Sequence, residues 1–146
     1  MGHERMAFWL FKTEPGTFSW DDQVRAGPKG EEWSGVRNAL AQKHMRAMKV
    51  GDYGFFYHSG GEKRITGVVR VVAGAHPDST DATGRWHCVD VEAVGPFPTP
   101  VTLVSIKAEP RLAMMALVKN SRLSVQPVTA AEWALVCRMG GYKEEV

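Results

Sequence analysis

Apolar and polar residues alternate along the chain in short runs that glycine and proline interrupt, a pattern typical of a β-rich domain with short helices. In the fourth of these runs Val89 and Val91 fall on one face and Cys88 and Asp90 on the other, as the two-residue period of a strand requires. Pro127 near the end of the last run places that strand at a sheet edge. The runs predict five strands, at residues 8–12, 53–58, 65–72, 86–94 and 123–128.

Helical periodicity is clearest over residues 36–48, which carry one apolar face. Residues 102–107 predict a further short helical turn, whereas the apolar segment 112–118 fits either a helix or a strand. Two more helices are predicted from their capping residues: Ser19 before residues 20–26, and Thr129 with Glu132 before residues 130–138.

Five or six mainly antiparallel strands with short helices at the rim predict an α+β fold, a small and partly open β-barrel. The length of 146 residues suits one domain, expected over residues 7–142 with tails at 1–6 and 143–146. Alternating prolines at 96, 98 and 100 are expected to form a stiff connection after the fourth strand. The predicted core consists of Trp9, Trp20, Trp133, Phe8, Leu10, Phe55, Val69, Val71, Val89, Val91, Leu117 and Val125.

Composition narrows the class of protein only modestly. A net charge of +2 and a pI near 8.6 permit nucleic-acid binding without indicating it on their own. Two separated cysteines, Cys88 and Cys137, do not make a disulfide framework, so both are expected to be reduced and buried in a cytoplasmic protein. No apolar run approaches the length of a membrane span. We expect the protein to be a monomer.

Two segments carry candidate chemistry. Residues 33–38, Trp-Ser-Gly-Val-Arg-Asn, place an aromatic plane, a flexible glycine, a cation and an amide beside the start of a helix. The apolar first strand ends in Lys12-Thr13-Glu14. These groups suit the stacking of a flat heterocycle and hydrogen bonding to its edge. The pattern therefore favours a protein that reads bases over a catalyst.

These segments, taken with Met48-Lys49-x-Gly51-Asp52, Phe56-Tyr57-His58-Ser59 and the run from Ser121 to Val128, resemble the EVE domain family of the PUA-like group from about Phe8 to Met139. The resemblance implies a barrel with a pocket beside the helix that follows Trp33. It also implies that the pocket takes a modified, methylated-type base flipped out of DNA or RNA. EVE domains usually carry an aromatic residue and a basic residue where this chain has Ala39 and Gln42, so one wall of the pocket is expected to be more open.

Each candidate ligand has a structural alternative. Trp33 can stack on a base or pack the loop at 29–34 onto the barrel, and Asn38 can read a base edge or cap its own helix. Lys12 can donate to a base carbonyl or simply cover the barrel edge. Trp86 can form a second aromatic wall or belong to the core. The full set of predicted ligand-binding residues is Lys12, Thr13, Trp33, Gly35, Val36, Asn38, Tyr57, Ser59 and Trp86.

A second set is predicted to contact the nucleic-acid backbone, although a solvated basic face explains it equally well. For Arg37 the alternative is to brace a neighbouring carboxylate. The set comprises Arg37, Lys43, Arg46, Arg64, Arg122 and Ser124.

Two other functions compete with the reading of modified bases. One is a general RNA-binding PUA-like module without preference for modification. The other is a small metal-dependent nuclease or hydrolase using Asp52, His58 and either Asp78 or Asp90. The sequence contains no nucleophile elbow, zinc-protease helix or phosphate-binding loop, so we expect a non-catalytic module with no cofactor or metal. Its partners are then DNA or RNA with modified bases, with an effector protein on another chain as a further candidate.

Overall fold

The computed structural model describes residues 6–143 as a six-stranded mixed sheet with short helices. The strands are β1 (Phe8–Thr13), β2 (Glu31–Glu32), β3 (Tyr53–His58), β4 (Arg64–Pro77), β5 (His87–Thr102) and β6 (Val125–Val128). The helices are α1 (Trp20–Ala26), α2 (Ala39–Ala47), α3 (Leu103–Lys107), α4 (Ala116–Lys119) and α5 (Ala130–Met139), with a 3₁₀ turn at Pro110–Leu112. The predicted α+β class is confirmed, and no helix within the described part of the chain has the length and apolarity needed to cross a membrane.

The strands follow the order β2-β5-β4-β3-β1-β6. Four of the five pairings are antiparallel, and β1 pairs in parallel with β3. Among residues 6–143 no pairing joins the edge strands β2 and β6, so closure of the predicted barrel is not shown. The parallel pairing follows from the chain path, because α1, β2 and α2 lie between β1 and β3 and carry the chain back across the sheet.

Both faces of the sheet are buried. Leu10, Phe55 and Tyr57 belong to one hydrophobic cluster together with Trp133 of α5. Their neighbours in sequence belong to a second cluster with α2, in which Trp9, Phe11 and Phe56 meet Met45. Alternate side chains of β1 and β3 therefore pack into two hydrophobic cores, one on each face of the sheet. Most of the predicted core residues are buried, whereas Phe8 and Trp20 are only partly buried against these clusters.

The predicted connection at Pro96, Pro98 and Pro100 is wrong, because these residues lie within β5. From Pro96 to Val101 the strand advances five residues while β4 moves only from Gly67 to Ile65. This bulge accommodates Pro98 and Pro100, because the residues between Pro96 and Val101 have no register partner on β4. The predicted strands at 65–72 and 86–94 are accordingly the starts of two much longer strands.

The predicted helix at 36–48 begins later, at Ala39. Asn38 is extended, and its side-chain Oδ1 accepts a hydrogen bond from the Ala41 backbone N–H at 2.9 Å, so it caps α2. The two predicted caps are confirmed as capping boxes, Ser19 with Asp22 and Thr129 with Glu132.

Trp20 fixes α1 to the sheet over Gly67 of β4. A Cβ atom at Gly67 would lie 2.6–2.8 Å from three atoms of the indole ring, so only glycine fits below it. The ring also packs edge-on against Phe56, with centroids 5.3 Å apart. Close approach of backbone to ring thus orients the segment that leads from β1 into α1.

Gly67→Ala is expected to lower the free energy of unfolding by about 1–3 kcal/mol, because the indole must shift to admit a methyl group. Urea unfolding measures the change. Gly74→Ala is the matched control in the same strand, since nothing lies within 4 Å of a Cβ atom there. Equal stabilities of the two variants would contradict the close approach of Trp20.

Candidate functional site

A cavity of about 380 Å³ lies between the end of β1, the segment after β2 and the start of β6. Its volume falls in the lower part of the range of ligand pockets, roughly 300–1,000 Å³. We call it the Trp33 pocket, and it is lined by Lys12, Thr13, Thr17, Phe18, Glu31, Glu32, Trp33, Ser34, Gly35, Val36, Arg37 and Ser124. A larger groove of about 610 Å³ beside α5 is lined by none of the predicted ligand residues.

Trp33 forms an aromatic wall of the pocket from within the core. Its side chain is only 6% exposed. The indole packs edge-on against Phe11, Phe56 and Phe18, with centroids 5.1, 5.5 and 6.1 Å apart. Its backbone N–H donates to the Val89 carbonyl at 2.8 Å. Trp33 therefore both lines the pocket and packs its loop, the two roles that the sequence left open.

Lys12 brings an ammonium group to the opposite side. Its Nζ donates to the Ser121 carbonyl at 2.6 Å and lies 5.8 Å from the centroid of the Tyr57 ring. Burial lowers the pKa of Lys12 below its usual value. An ammonium group has three N–H donors, so this hydrogen bond leaves donors for a ligand.

Thr13 holds the turn that follows β1. Its hydroxyl donates to the Phe18 carbonyl at 3.0 Å, and its own carbonyl accepts from the Ser59 N–H at 2.8 Å. The first contact fixes the position of Phe18, a half-buried ring on the pocket. Ser59 acts here through its backbone.

Asp78 supports the wall formed by residues 34–37. One carboxylate oxygen accepts from the Gly35 N–H at 2.8 Å and from Arg37 Nη1 at 3.1 Å, and the other accepts from the backbone and hydroxyl of Thr80. Burial acts to raise the pKa of Asp78, but these hydrogen bonds outweigh it and lower the pKa to about 2. Gly35 has a φ of +83°, which suits glycine at this bend.

Gln42, one of the two positions behind the expected more open wall, is not among the residues that line the pocket. The side chain is 2% exposed. Its Nε2 donates to the carbonyls of Val36 and His87, and its Oε1 accepts from the His87 N–H. The amide therefore ties α2 to β5 and to the pocket segment.

Not all of the predicted ligand residues converge. Lys12, Thr13, Trp33, Gly35 and Val36 line the pocket. Asn38, Tyr57, Ser59 and Trp86 are not among its lining residues. Tyr57 is buried in the hydrophobic cluster that contains Trp133 of α5, and this burial raises its pKa. Trp86 is half-buried and lies below the guanidinium groups of Arg85 and Arg37, 4.9 and 5.7 Å from its ring centroid.

The predicted backbone-contacting residues are spread over several elements. Arg37 and Ser124 line the pocket, and Arg37 braces Asp78 while remaining 37% exposed. Arg46 contacts the Gln42 side chain at 3.3 Å, and Arg64 pairs with Glu62 at 3.1 Å. Lys43 and Arg122 are exposed. Contact of this set with phosphate stays a prediction.

The acidic and histidine groups of the rival catalyst hold structural positions. Asp52 accepts from the Trp9 indole at 3.0 Å and from the backbone of Ala7 and Lys49. His58 Nε2 accepts from the Trp20 N–H, which leaves the proton on Nδ1 for Glu62. These interactions explain why both types of residue are buried.

Sequence reasoning missed several functional candidates. Phe18, Thr17, Glu31 and Glu32 line the pocket from segments without a motif of their own. Asp78, weighed only as a catalytic group, instead holds the pocket wall. A signal for it was the irregular segment before β5, where short polar residues favour hydrogen bonds to loop backbone.

The mixed sheet, its short helices and the aromatic pocket together define an α+β domain with a polar-rimmed cavity. The sequence profile of the EVE domain matches residues 7–139. The chain belongs to the EVE domain family, which confirms the resemblance. Human thymocyte nuclear protein 1 is 33% identical over 161 aligned positions, covering 88% of this chain and 71% of that protein.

Solved structures show the same fold. Rpa0253 from Rhodopseudomonas palustris is 57% identical, with a TM-score of 0.90 and coverage of 96% of this chain and 97% of that one. The human THYN1 protein in complex with 5-methylcytosine-containing DNA is 32% identical, with a TM-score of 0.85 and coverage of 94% and 99%. The YTH domain of Zygosaccharomyces rouxii MRB1, in complex with N6-methyladenosine RNA, shares the fold alone: it is 18% identical, with a TM-score of 0.57 and coverage of 99% and 90%.

Proposed function

We propose that this protein binds nucleic acid without turnover and takes one flipped, methylated base into the Trp33 pocket. The observation that carries the proposal is the pocket itself, a cavity of about 380 Å³ whose lining includes two aromatic residues, a lysine and two glutamates. The related human protein, solved with 5-methylcytosine-containing DNA, supports the same ligand class for this chain.

The charges of the pocket suit the edge of a base that carries an exocyclic amine. Lys12 offers N–H donors to a ring carbonyl, and the carboxylate of Glu31 accepts from an amino group. Cytosine presents both a ring carbonyl and an exocyclic amine, whereas thymine and uracil present a second carbonyl in place of the amine. We therefore expect a methylated cytosine to be preferred over thymine.

The apolar side of the pocket accounts for a preference for methylation. Phe18, Trp33 and Val36 supply apolar surface. Burial of one methyl group contributes about 0.8 kcal/mol, which corresponds to roughly fourfold in affinity. Fluorescence anisotropy with oligonucleotides that differ by one 5-methylcytosine, in DNA and in RNA, measures this ratio. Equal affinities would favour a general nucleic-acid-binding module and contradict recognition of the modification.

Phe18→Ala is expected to weaken binding of the methylated oligonucleotide by about 1–3 kcal/mol, because a half-buried ring on the pocket no longer stacks on the base. Phe8→Ala is the matched control: Phe8 is also partly buried, but it packs on Trp133 in the other core. Anisotropy gives the affinity and thermal melting gives the stability of both variants. Equal weakening by both would contradict a specific role for Phe18.

A further inference from the structure

Four side chains with metal-binding atoms meet where β2, β4 and β5 pair. Glu32 lies opposite Asp90, and His76 lies opposite Cys88, in the registers of the two strand pairs. Cys88 and Asp90 are two residues apart in β5, so they project to the same face. One ligand atom from each of the four residues lies within 4.8 Å of the others. We call this group the β5 cluster.

We propose that the β5 cluster is a zinc site. A thiolate, an imidazole and two carboxylates form a donor set that suits zinc, whereas magnesium and calcium prefer oxygen ligands alone. Four protein ligands leave no open coordination position, so the site is structural.

The spacing of the ligand atoms fits a tetrahedral ion after a small adjustment. Zinc bonds of about 2.0–2.3 Å place the ligand atoms of a tetrahedron roughly 3.3–3.8 Å apart. Cys88 Sγ already lies 3.9 Å from His76 Nε2. The His76 Nε2 to Asp90 Oδ1 distance of 2.7 Å must open, and the other separations, none above 4.8 Å, must close by at most about an ångström.

Neighbouring groups already orient two of the ligands. His76 Nδ1 lies 3.1 Å from the Pro77 carbonyl, which fixes a proton on Nδ1 and directs Nε2 at the cluster. Glu32 Oε1 accepts from the hydroxyl of Ser79 at 2.6 Å. Such second contacts hold the imidazole and carboxylate ligands of metal sites in place.

The charge of the cluster also favours a cation, because it brings the carboxylates of Glu32 and Asp90 within 4.8 Å of each other. Zinc binding displaces the thiol proton, and any proton on the imidazole Nε2, to solvent, because a coordinating thiol is deprotonated outright.

Zinc at this position has a structural consequence for the pocket. β2 is only two residues long, and it leads directly into the segment that carries Trp33. Glu32 itself lines the Trp33 pocket. An ion bound by Glu32 together with three ligands from β4 and β5 therefore anchors this segment to the sheet.

The test titrates chelator-treated full-length protein with Co²⁺ and then with Zn²⁺, in the absence of nucleic acid. We expect one equivalent of Co²⁺ to produce a thiolate-to-cobalt charge-transfer absorption, which Zn²⁺ then abolishes by competition. Cys88→Ser is expected to remove the absorption and weaken zinc binding by roughly tenfold or more. Cys137→Ser is the matched control, because Cys137 is also buried but lies in the hydrophobic cluster that contains Trp133.

A second variant keeps the proposal testable if Cys88→Ser does not fold. His76 is only partly buried, and His76→Gln is expected to remove the rise in melting temperature that zinc gives the unmodified protein. The proposal is overturned if the unmodified protein binds no stoichiometric metal. It is also overturned if the cobalt spectrum lacks the thiolate band or if both cysteine variants bind alike. Because no nucleic acid is present, this result is independent of base recognition.

Discussion

Trp33→Ala is expected to lower the free energy of unfolding by about 3–5 kcal/mol, the usual cost of truncating a buried tryptophan. The indole is almost fully enclosed by three aromatic rings, and its removal leaves a cavity that Phe11, Phe18 and Phe56 cannot fill without leaving their own contacts. Urea unfolding followed by circular dichroism measures the loss.

Trp86→Ala is the matched control for this experiment. Trp86 is half-buried and contacts mainly two guanidinium groups, so we expect a loss of about 1 kcal/mol or less. If Trp33→Ala is as stable as the control, the indole is not part of the core. Trp33→Phe, which keeps an aromatic wall, is the variant in which to measure binding without a loss of fold.

Asp78→Asn is expected to destabilise the protein by about 2–4 kcal/mol, because an amide cannot accept all four hydrogen bonds that the buried carboxylate receives. Loss of the carboxylate also releases Arg37 and the Gly35 backbone, so binding of a methylated oligonucleotide should weaken. The half-buried Asp81→Asn is the control for binding, since its carboxylate contacts Thr83 and Trp86 and not the pocket wall.

The pH dependence of stability provides a second readout of Asp78. Its folded pKa of about 2 lies below the ordinary value of 3.8, so the unfolded state binds more protons between these values. The stability that Asp78 contributes is therefore present above pH 4 and lost as the pH falls towards 2. Asp78→Asn should flatten the acid limb of the stability curve in this window. An unchanged acid limb would contradict the charged state of Asp78.

The sequence predicts local structure well where one physical signal dominates. The capping boxes at Ser19 and Thr129 and the apolar runs of β1 and β3 all appear as expected. Prediction fails where tertiary pairing overrides local preference. β5 continues past Pro98 and Pro100 because both lie in a bulge without register partners on β4, and β2 forms by pairing with β5.

Only some of the residues at the candidate site could be predicted from the sequence. Lys12 and the Trp33–Arg37 segment meet at one pocket, because β1 and β2 end near each other in space. The roles of Phe18 and Asp78 are not predicted from the sequence, because they depend on contacts between segments distant in sequence or without a motif. Thr13 donates to the Phe18 carbonyl, and the Gly35 N–H donates to the Asp78 carboxylate. Asn38 has the right chemistry for a base edge, but the helix that follows uses its oxygen as a cap.

The position of β1 in the sheet has a consequence for the order of folding. Residues 8–11 pair with residues 125–128, and residues 8–13 pair with residues 53–58. During synthesis, one side of the first strand therefore stays unpaired until residues 125–128 have left the ribosome. Contacts of such long sequence separation slow folding, so the docking of β6 onto β1 is expected to limit the folding rate.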